Sequence, residues 1–559
     1  MATVVERTAS SIIYWSSKTR QVPQLDLLTL LFDSQHCAAK ENTVLHVDAA
    51  DPTKAITKAE LRSLVKRLAS NFRNDYGIGQ DGPNNDAVLL IATGHWQLPT
   101  IFFATMAAGG VFSSSNPGST PKELAGQVVQ VGAKIIVCTE DTKPTALAAA
   151  NLTGLLPSRV LVIGNGPSFS LSFAATGKLL PLSPNPLDWT RLTDPTTLEN
   201  SIICVLFSSG TTGAPKACLL SHTNIVAEAT LVLDANREAD PLHLSSKRTL
   251  AHLPAAHIAG VQGYLVNFFY AGGAVYWMPR FDFGQFLTYC KKYAVTCFFS
   301  VPPVFLAIAK FPGVTDQFDS LMYAVSGAAP MGRELQAAVQ RKLGRGRAQF
   351  VQTWGLSETT GSMTVMPRGE ENDLTGSVSR LVANGSARIV DDEGRDVEPG
   401  ETGEIWVKGP VVTKGYWKDG KATSEAFSAD GWFKTGDVGL FRDGLFYIVD
   451  RKKELIKYKG SQVAPAELEA LLVSHPKILD AAVIGVSGED TEVPRAYVVP
   501  STKDITALGI VEWVNGQVSN SKKLRGGVVF LAEIPKSPSG KILRRELRAR
   551  AKKGEGSKL

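Results

Sequence analysis

The chain has 559 residues, of which 44% are hydrophobic and 20% charged, with a formal net charge of +6. This is the composition of a globular protein, and the length outgrows one ordinary core, so about two or three domains are expected. Lys and Arg gather in C-terminal patches (Lys452 to Lys459 and Lys541 to Arg548) without interleaved aromatics or zinc-finger spacing, which sets nucleic acid aside and leaves a small polyphosphate or a membrane surface.

No charged-then-apolar leader opens the chain, and no apolar run reaches membrane-spanning length. The longest candidate, Ala87 to Phe112, is interrupted by His95, Gln97 and Pro99, and reads as a buried strand followed by a helix. Gly77 to Gly82 has the spacing of a dinucleotide-binding loop, but it precedes a strand rather than leading from one into a helix, so it reads as a polar turn. Short apolar runs recur between helix-like stretches at Val88–Ile91, Lys134–Cys138, Arg159–Ile163, Ile202–Phe207, Ala274–Met278, Thr296–Val301, Leu321–Val325 and Gln349–Val351. That alternation predicts parallel α/β architecture, with strand-end loops available for ligands. After Glu358, Gly-rich turns separate strand-like pieces such as Ser386–Val390 and Glu404–Val407, which predicts a small antiparallel or barrel-like subdomain. A further break falls at Asp450-Arg451, followed by a helix signal (Pro465–Leu472), strands (Ala481–Val486 and Ala496–Val499) and a basic terminal helix. The expected α/β fold is a large domain over 1–450, made of parallel sheets and a small β-barrel-like subdomain, followed by a small mobile α+β domain over 451–559. The six cysteines form no Cys-x-x-Cys pair and read as reduced, buried thiols; the eight histidines lack ligand-pair spacing.

Two segments carry chemistry. Ser208-Ser209-Gly210-Thr211-Thr212-Gly213-Ala214-Pro215-Lys216 follows an apolar run, so its glycines allow close backbone approach to an anion while hydroxyls and a lysine donate to phosphate oxygens. It is not a Walker loop, because the glycine spacing differs and Ala217 follows the lysine. In Gln352-Thr353-Trp354-Gly355-Leu356-Ser357-Glu358-Thr359, a carboxylate and hydroxyls suit a Mg²⁺ ion bridging triphosphate oxygens, and the indole offers a face for a purine.

Through these two segments together, the chain resembles the adenylate-forming superfamily of acyl-CoA synthetases, luciferases and adenylation domains, and is most similar to 4-coumarate–CoA ligases and related peroxisomal acyl-CoA ligases. The resemblance runs over essentially the whole chain and includes Leu253 to His257, Ser326 to Pro330, Trp354 to Glu358, Thr435-Gly436-Asp437, Val449 to Gly460 and Pro535 to Lys541. It implies that Ser208, Ser209, Gly210, Thr211, Thr212, Gly213 and Lys216 hold the ATP phosphates, and that Gly327, Ala328, Ala329 and Gly355 line the adenine and acyl-adenylate site. Trp354 stands where tyrosine is usual and keeps the stacking face; Ser357 replaces the usual threonine and keeps its hydroxyl. Glu358 is implied to bind Mg²⁺, Asp437 and Arg451 to bind the ribose, and Lys453 to be the hinge. Lys541 is implied to meet the carboxylate and the α-phosphate during adenylation. Lys457 and Gln462 are implied to serve the thioester step, with Gly460 passing the pantetheine arm and His257 shaping the acyl pocket.

The implied reaction consumes ATP, passes through acyl-AMP and transfers the acyl group to coenzyme A. An adenylating enzyme with another acceptor and a nucleotide-binding pseudoenzyme are the alternatives. Acyl-pocket residues are expected from His257–Gly263, Val301–Leu306, Ser326–Ala328 and Thr360–Met363, and their small side chains admit an aryl, arylpropenoic or medium-chain fatty acid. Ser557-Lys558-Leu559 matches a peroxisomal address, which implies an import receptor as partner and a peroxisomal location.

Overall fold

The computed structural model describes residues 2–8, 11–208, 215–239, 247–367, 373–459, 461–488, 491–502, 504–537 and 540–554. Ser209, Gly210, Thr211, Thr212, Gly213 and Gly460, and the tripeptide Ser557-Lys558-Leu559, lie outside the described residues.

Each of the eight apolar runs forms a strand. An eight-stranded sheet runs in the order Leu179–Leu180, Leu171–Phe173, Val160–Ile163, Ala133–Cys138, Ala87–Ile91, Val111–Ser115, Ile202–Ser208, Lys216–Ser221. Its centre is parallel, as residues buried on both faces require, whereas the pairings towards both edges are antiparallel. The edge pairing matters for the site. The Ser/Gly segment is too short for a crossover, so Ile202–Ser208 turns straight back as Lys216–Ser221, with Ser208 opposite Lys216. Two smaller sheets continue the α/β body: Arg248–Ala251, Ala274–Trp277, Val44–Asp48 and Ala55–Thr57; and Cys297–Ser300, Tyr323–Ser326 and Gln349–Gln352, the last three all parallel.

Helices on these sheets begin and end where their caps dictate. Lys58–Tyr76 starts in a capping box between Thr57 and Glu60 and stops at Gly77, whose φ of 73° only glycine adopts without strain. The Gly77–Gly82 segment is therefore a helix stop and turn before Ala87–Ile91. The helix His222–Ala239 is buried all round along its described first half, as a helix between two sheets must be.

The antiparallel subdomain is a six-stranded sheet, Thr3–Arg7, Ile12–Ser16, Ser386–Val390, Gly403–Lys408, Phe433–Arg442 and Leu445–Arg451. Its first two strands come from the N-terminus, which the sequence left unassigned; Tyr14 pairs with Ala387, and its ring is fully buried against Phe441 and Phe446. Beyond Arg451, a hairpin (Ile456–Tyr458, Ser461–Val463), a three-stranded sheet (Ile478–Ser487, Glu492–Pro500, Val528–Phe530) and helices Pro465–Ser474, Ala507–Asn515 and Arg544–Lys552 enclose their own apolar core around Leu468, Leu472, Val483, Val498 and Val514.

Candidate active site

One cavity of about 1130 Å³ opens where the sheets, the antiparallel subdomain and the C-terminal elements meet. Ser208, Lys216, His257, Gly327, Ala328, Gly355, Ser357, Glu358, Arg451, Lys457 and Lys541 all line it. Residues distant in sequence thus converge on one space. Ala329, Trp354, Asp437 and Gln462 are not among its walls.

Part of its wall rests on short, tightly bonded turns. Gly355 is fixed by space: a Cβ there would stand 1.6 Å from the carbonyl oxygen of Gly361. Ala328 holds a left-handed φ of 73°, an uncommon conformation for a residue with a side chain and one that marks functional walls. Glu358 is 7% exposed, and its Oε1 accepts the Tyr416 hydroxyl at 3.0 Å. Burial and then the Glu358 charge push the Tyr416 phenol far upward, so it remains a donor. Lys216 lies over the Tyr416 ring at 4.8 Å, which sets the loop lysine beside this carboxylate.

Asp437 pairs with Arg451 in strand register, and its Oδ1 lies 3.3 Å from Arg451 Nε. Its Oδ2 accepts the indole N–H of Trp354 at 2.8 Å. Trp354 is thus placed differently from the expected purine face. It is 6% exposed, packed in the apolar core beneath the antiparallel sheet, and its N–H is committed to Asp437. The Trp354 indole N–H thus ties this segment to Asp437.

Lys541 arrives from the C-terminal elements. A turn closed by Gly540 N–H to Ser537 O (2.8 Å) and Ser537 N–H to Lys541 O (2.8 Å) presents it. Gly540, at φ 78°, lies so close to Val301 that a Cβ would meet Val301 Cγ2 at 2.8 Å. Withdrawal from water, then Arg451, lowers the Lys541 ammonium to about 8, while Asp437 and Glu358 oppose the fall. Lys453 is also lowered to about 8, first by burial and then by Arg451. His257 lines the same cavity. Burial holds it at about 3, so the ring is neutral, and its Nδ1 accepts the Ala259 N–H at 3.3 Å, leaving the proton on Nε2. With the ring neutral, His257 presents a wall and an Nε2–H donor to the cavity. Lys457 and Gln462 face each other across the hairpin, both exposed; Lys457 reaches the cavity rim and Gln462 does not.

Ile258, Ala259, Gly263, Phe299, Val301 and Gly361 also line the cavity, largely from the segments expected to form an acyl pocket. The sequence reading missed the contributions of Glu228, Val232, Asn267 and Phe268. Their signal was weak: Glu228 and Asn267 are single polar residues in otherwise apolar stretches.

No group of three or more His, Cys, Asp or Glu that could hold a metal occurs among the described residues. Glu358, buried on the cavity wall beside Tyr416 and Lys216, fits a different arrangement, an ion that arrives with triphosphate oxygens and takes one protein carboxylate.

The hairpin of Ile202–Ser208 and Lys216–Ser221, Arg451 with its partner Asp437, and a lysine from the C-terminal elements are thus brought to one cavity. The family model described as AMP-binding enzyme matches residues 34–417, and that described as AMP-binding enzyme C-terminal domain matches 467–541. A protein of Emericella nidulans named as an acyl-coenzyme A synthetase is 47% identical over 552 residues, covering 97% of this chain and 99% of that one. Phenylacetyl-CoA ligase epaB of Aspergillus niger is 34% identical over 536 residues (94% and 97%), and 4-coumarate–CoA ligase-like 6 of Arabidopsis thaliana is 33% identical over 536 residues (94% and 90%). The crystal structure of ATP-bound MatB from Rhodopseudomonas palustris is 26% identical with a TM-score of 0.80, covering 95% of this chain and 99% of that one. The chain belongs to the AMP-binding enzyme family, in its acyl-CoA synthetase branch.

Proposed function

We propose that this enzyme is an ATP-dependent acid–CoA ligase that activates an aryl, arylpropenoic or medium-chain carboxylic acid as acyl-AMP. The observation that carries this is Lys541, a half-buried cation from the C-terminal elements that lines the same cavity as Glu358, Arg451, Ser208 and Lys216.

In the first half-reaction the substrate carboxylate oxygen attacks the α-phosphorus of ATP, forming the acyl–phosphate bond as the bond to pyrophosphate breaks. Lys541 places positive charge between the incoming carboxylate and the α-phosphate oxygens, where negative charge gathers. Ser208 to Lys216 hold the leaving phosphates, and Asp437 with Arg451 fix the ribose. Glu358 would hold Mg²⁺ against the triphosphate, and the bound metal would supply charge neutralisation. In the second half-reaction the C-terminal body turns about Lys453, withdraws Lys541 and brings Lys457, Gln462 and Gly460 to the site. The CoA thiolate then attacks the acyl carbonyl, the thioester forms, and AMP leaves with the bonding electrons. His257 bounds the acyl group at this step.

The test is AMP release with a panel of aromatic and medium-chain acids, with and without CoA. Release requiring both acid and CoA supports the ligase. Acid-dependent pyrophosphate exchange without CoA-dependent turnover would move the acceptor elsewhere, and a raised Mg²⁺ requirement in Glu358→Gln would support the metal role of Glu358. Ser557-Lys558-Leu559 is proposed to direct the enzyme to peroxisomes, tested by comparing the location of a fluorescent fusion with and without the tripeptide.

A further inference from the structure

The C-terminal body meets the large domain at both ends of one short helix. Pro302–Lys310 follows directly on Val301, a wall of the cavity. Its buried face of Val304, Phe305 and Ile308 is set in the core, with the Phe305 ring 5.7 Å from Phe298 and 4.7 Å from Phe350. Its C-terminal end is fixed as well, because the Lys342 ammonium donates to the Phe311 carbonyl at 2.7 Å. Nine residues make a rigid rod about 13 Å long. At its start, Gly540 seats on the helix: a Cβ there would stand 2.8 Å from Val301 Cγ2 and 3.5 Å from Pro303 Cδ. At its end, the half-buried Lys310 donates from its ammonium to the Ile478 carbonyl, on the first residue of the strand Ile478–Ser487.

That carbonyl leads to Lys541 through a short series of contacts. Further along the same strand, Asp480 is paired with Lys536 at 2.5 Å. Lys536 bridges to Ile542 across the turn that carries Lys541, and the Leu543 N–H closes the base of that turn on the Pro535 carbonyl at 2.8 Å. Asp480 also acts on Lys310, opposing the fall in its pKa that burial causes. The approaches of Gly540 to Val301 and of Gly332 to Ala470 are packing contacts, which set distance but not direction. The bond from Lys310 is directional and charged, and it acts at the far end of the helix from Gly540. Lys310 is not a wall of the cavity, so it meets neither nucleotide nor acid there. We propose that Lys310 is a positioning residue for adenylation, a clasp that holds the C-terminal body in the orientation that inserts Lys541 and lets go before thioester formation. The role rests on the two-step reading above.

The test uses the full-length enzyme and Lys310→Met, which keeps an unbranched apolar stem and removes the charge and the donor. Acid-dependent pyrophosphate exchange is expected to fall about tenfold, the size of effect that loss of a charged hydrogen bond has on an equilibrium between two orientations. Thioester formation from supplied acyl-AMP and CoA stays at the wild-type rate or rises, and the melting temperature stays near the wild-type value. Lys310→Arg keeps a charged donor and restores most of the exchange. Orientation is also read without any substrate, from a thiol at the inserted position. In Lys541→Cys, maleimide labelling at 541, followed by peptide mapping, is expected to quicken about tenfold when Lys310→Met is added. Exchange within about threefold of wild type, against the tenfold expected, unchanged labelling, or a parallel loss of both half-reactions would each overturn the clasp while leaving the ligase standing. Absence of exchange in the wild type with every acid would instead overturn the ligase, and the labelling rates would still decide whether Lys310 holds the body in place.

Discussion

Replacing Lys541 with alanine separates the two half-reactions most sharply. The ammonium is the cation that the C-terminal elements insert beside Glu358 and Arg451, and removal of one preorganised group aimed at developing charge costs about 10²–10³ in rate, or about 2.7–4 kcal/mol. Acid-dependent pyrophosphate exchange should fall by that factor in Lys541→Ala. Thioester formation from supplied acyl-AMP and CoA should stay near the wild-type rate, because Lys541 is withdrawn in that step. The same lysine gives the wild type a signature in pH. Burial and Arg451 lower it to about 8, and only the cation serves, so activity is full below that value and is lost as pH rises through it. The dependence of kcat/KM for MgATP reports groups of the free enzyme, so it should be flat towards pH 7 and fall about tenfold per pH unit above 8. Lys541→Arg stays charged at every accessible pH and should remove that limb, at a lower plateau because a planar fork does not match a point cation. Pyrophosphate exchange in Lys541→Ala within about threefold of wild type, against the 10²–10³ expected, would refute the reasoning.

Three further changes probe other parts of the site. Trp354→Phe deletes the 2.8 Å bond to Asp437 and should raise KM for ATP about tenfold, consistent with about 1.5 kcal/mol or more for a bond to a charged group, with little change in kcat. Gly355→Ala puts a methyl against the Gly361 carbonyl and should destabilise the protein by about 1–3 kcal/mol, read by thermal melting, with ATP binding lost in parallel. Lys457→Ala should reverse the Lys541 pattern, sparing pyrophosphate exchange while slowing thioester formation, both followed in single-turnover assays.

Much of this architecture was legible in the sequence because its signals are local. Ile202–Phe207 reads as a buried strand from its own apolar run, and it lies within the strand Ile202–Ser208. Gly77 stops a helix because glycine itself accepts the left-handed backbone of a C-cap. The Ser/Gly segment was read for its phosphate chemistry alone, and the antiparallel return of Lys216–Ser221, which a segment too short for a parallel crossover requires, emerges only in the structure. What was not legible depends on distant partners. Ile12–Ser16 pairs with Ser386–Val390, and nothing near the N-terminus announces that sheet. Trp354 can be recognised as standing in for tyrosine, yet only packing shows its ring buried and its N–H on Asp437. Glu228 and Asn267 meet through a helix and a π-helical turn, and that pairing has no spacing in sequence.

The arrangement around Lys453 gives the proposed rotation a physical basis. On its N-terminal side, Arg451 is held by Asp437, and Lys452 by Asp392 at 2.9 Å and Glu404 at 3.1 Å, all fixed to the antiparallel subdomain. On its other side, Glu454 is paired with Arg548 in the terminal helix, within the C-terminal body. Lys453 is the residue between the two sets of anchors, so a change in its torsions swings one rigid unit against the other. The contacts to be released include the bond from the Ala466 N–H to Asp450 at 3.0 Å, the Lys310 ammonium on the Ile478 carbonyl, the approach of Gly332 to Ala470, the seat of Gly540 on Val301, and a small cluster of Val438, Leu455 and Ala464. The C-terminal core around Leu468, Val483 and Val514 is much larger than that cluster and survives the motion intact. Because Lys457 and Lys541 belong to this one body, a single rotation can exchange one cation for the other, which lets one cavity run an adenylation and a thioester transfer in turn.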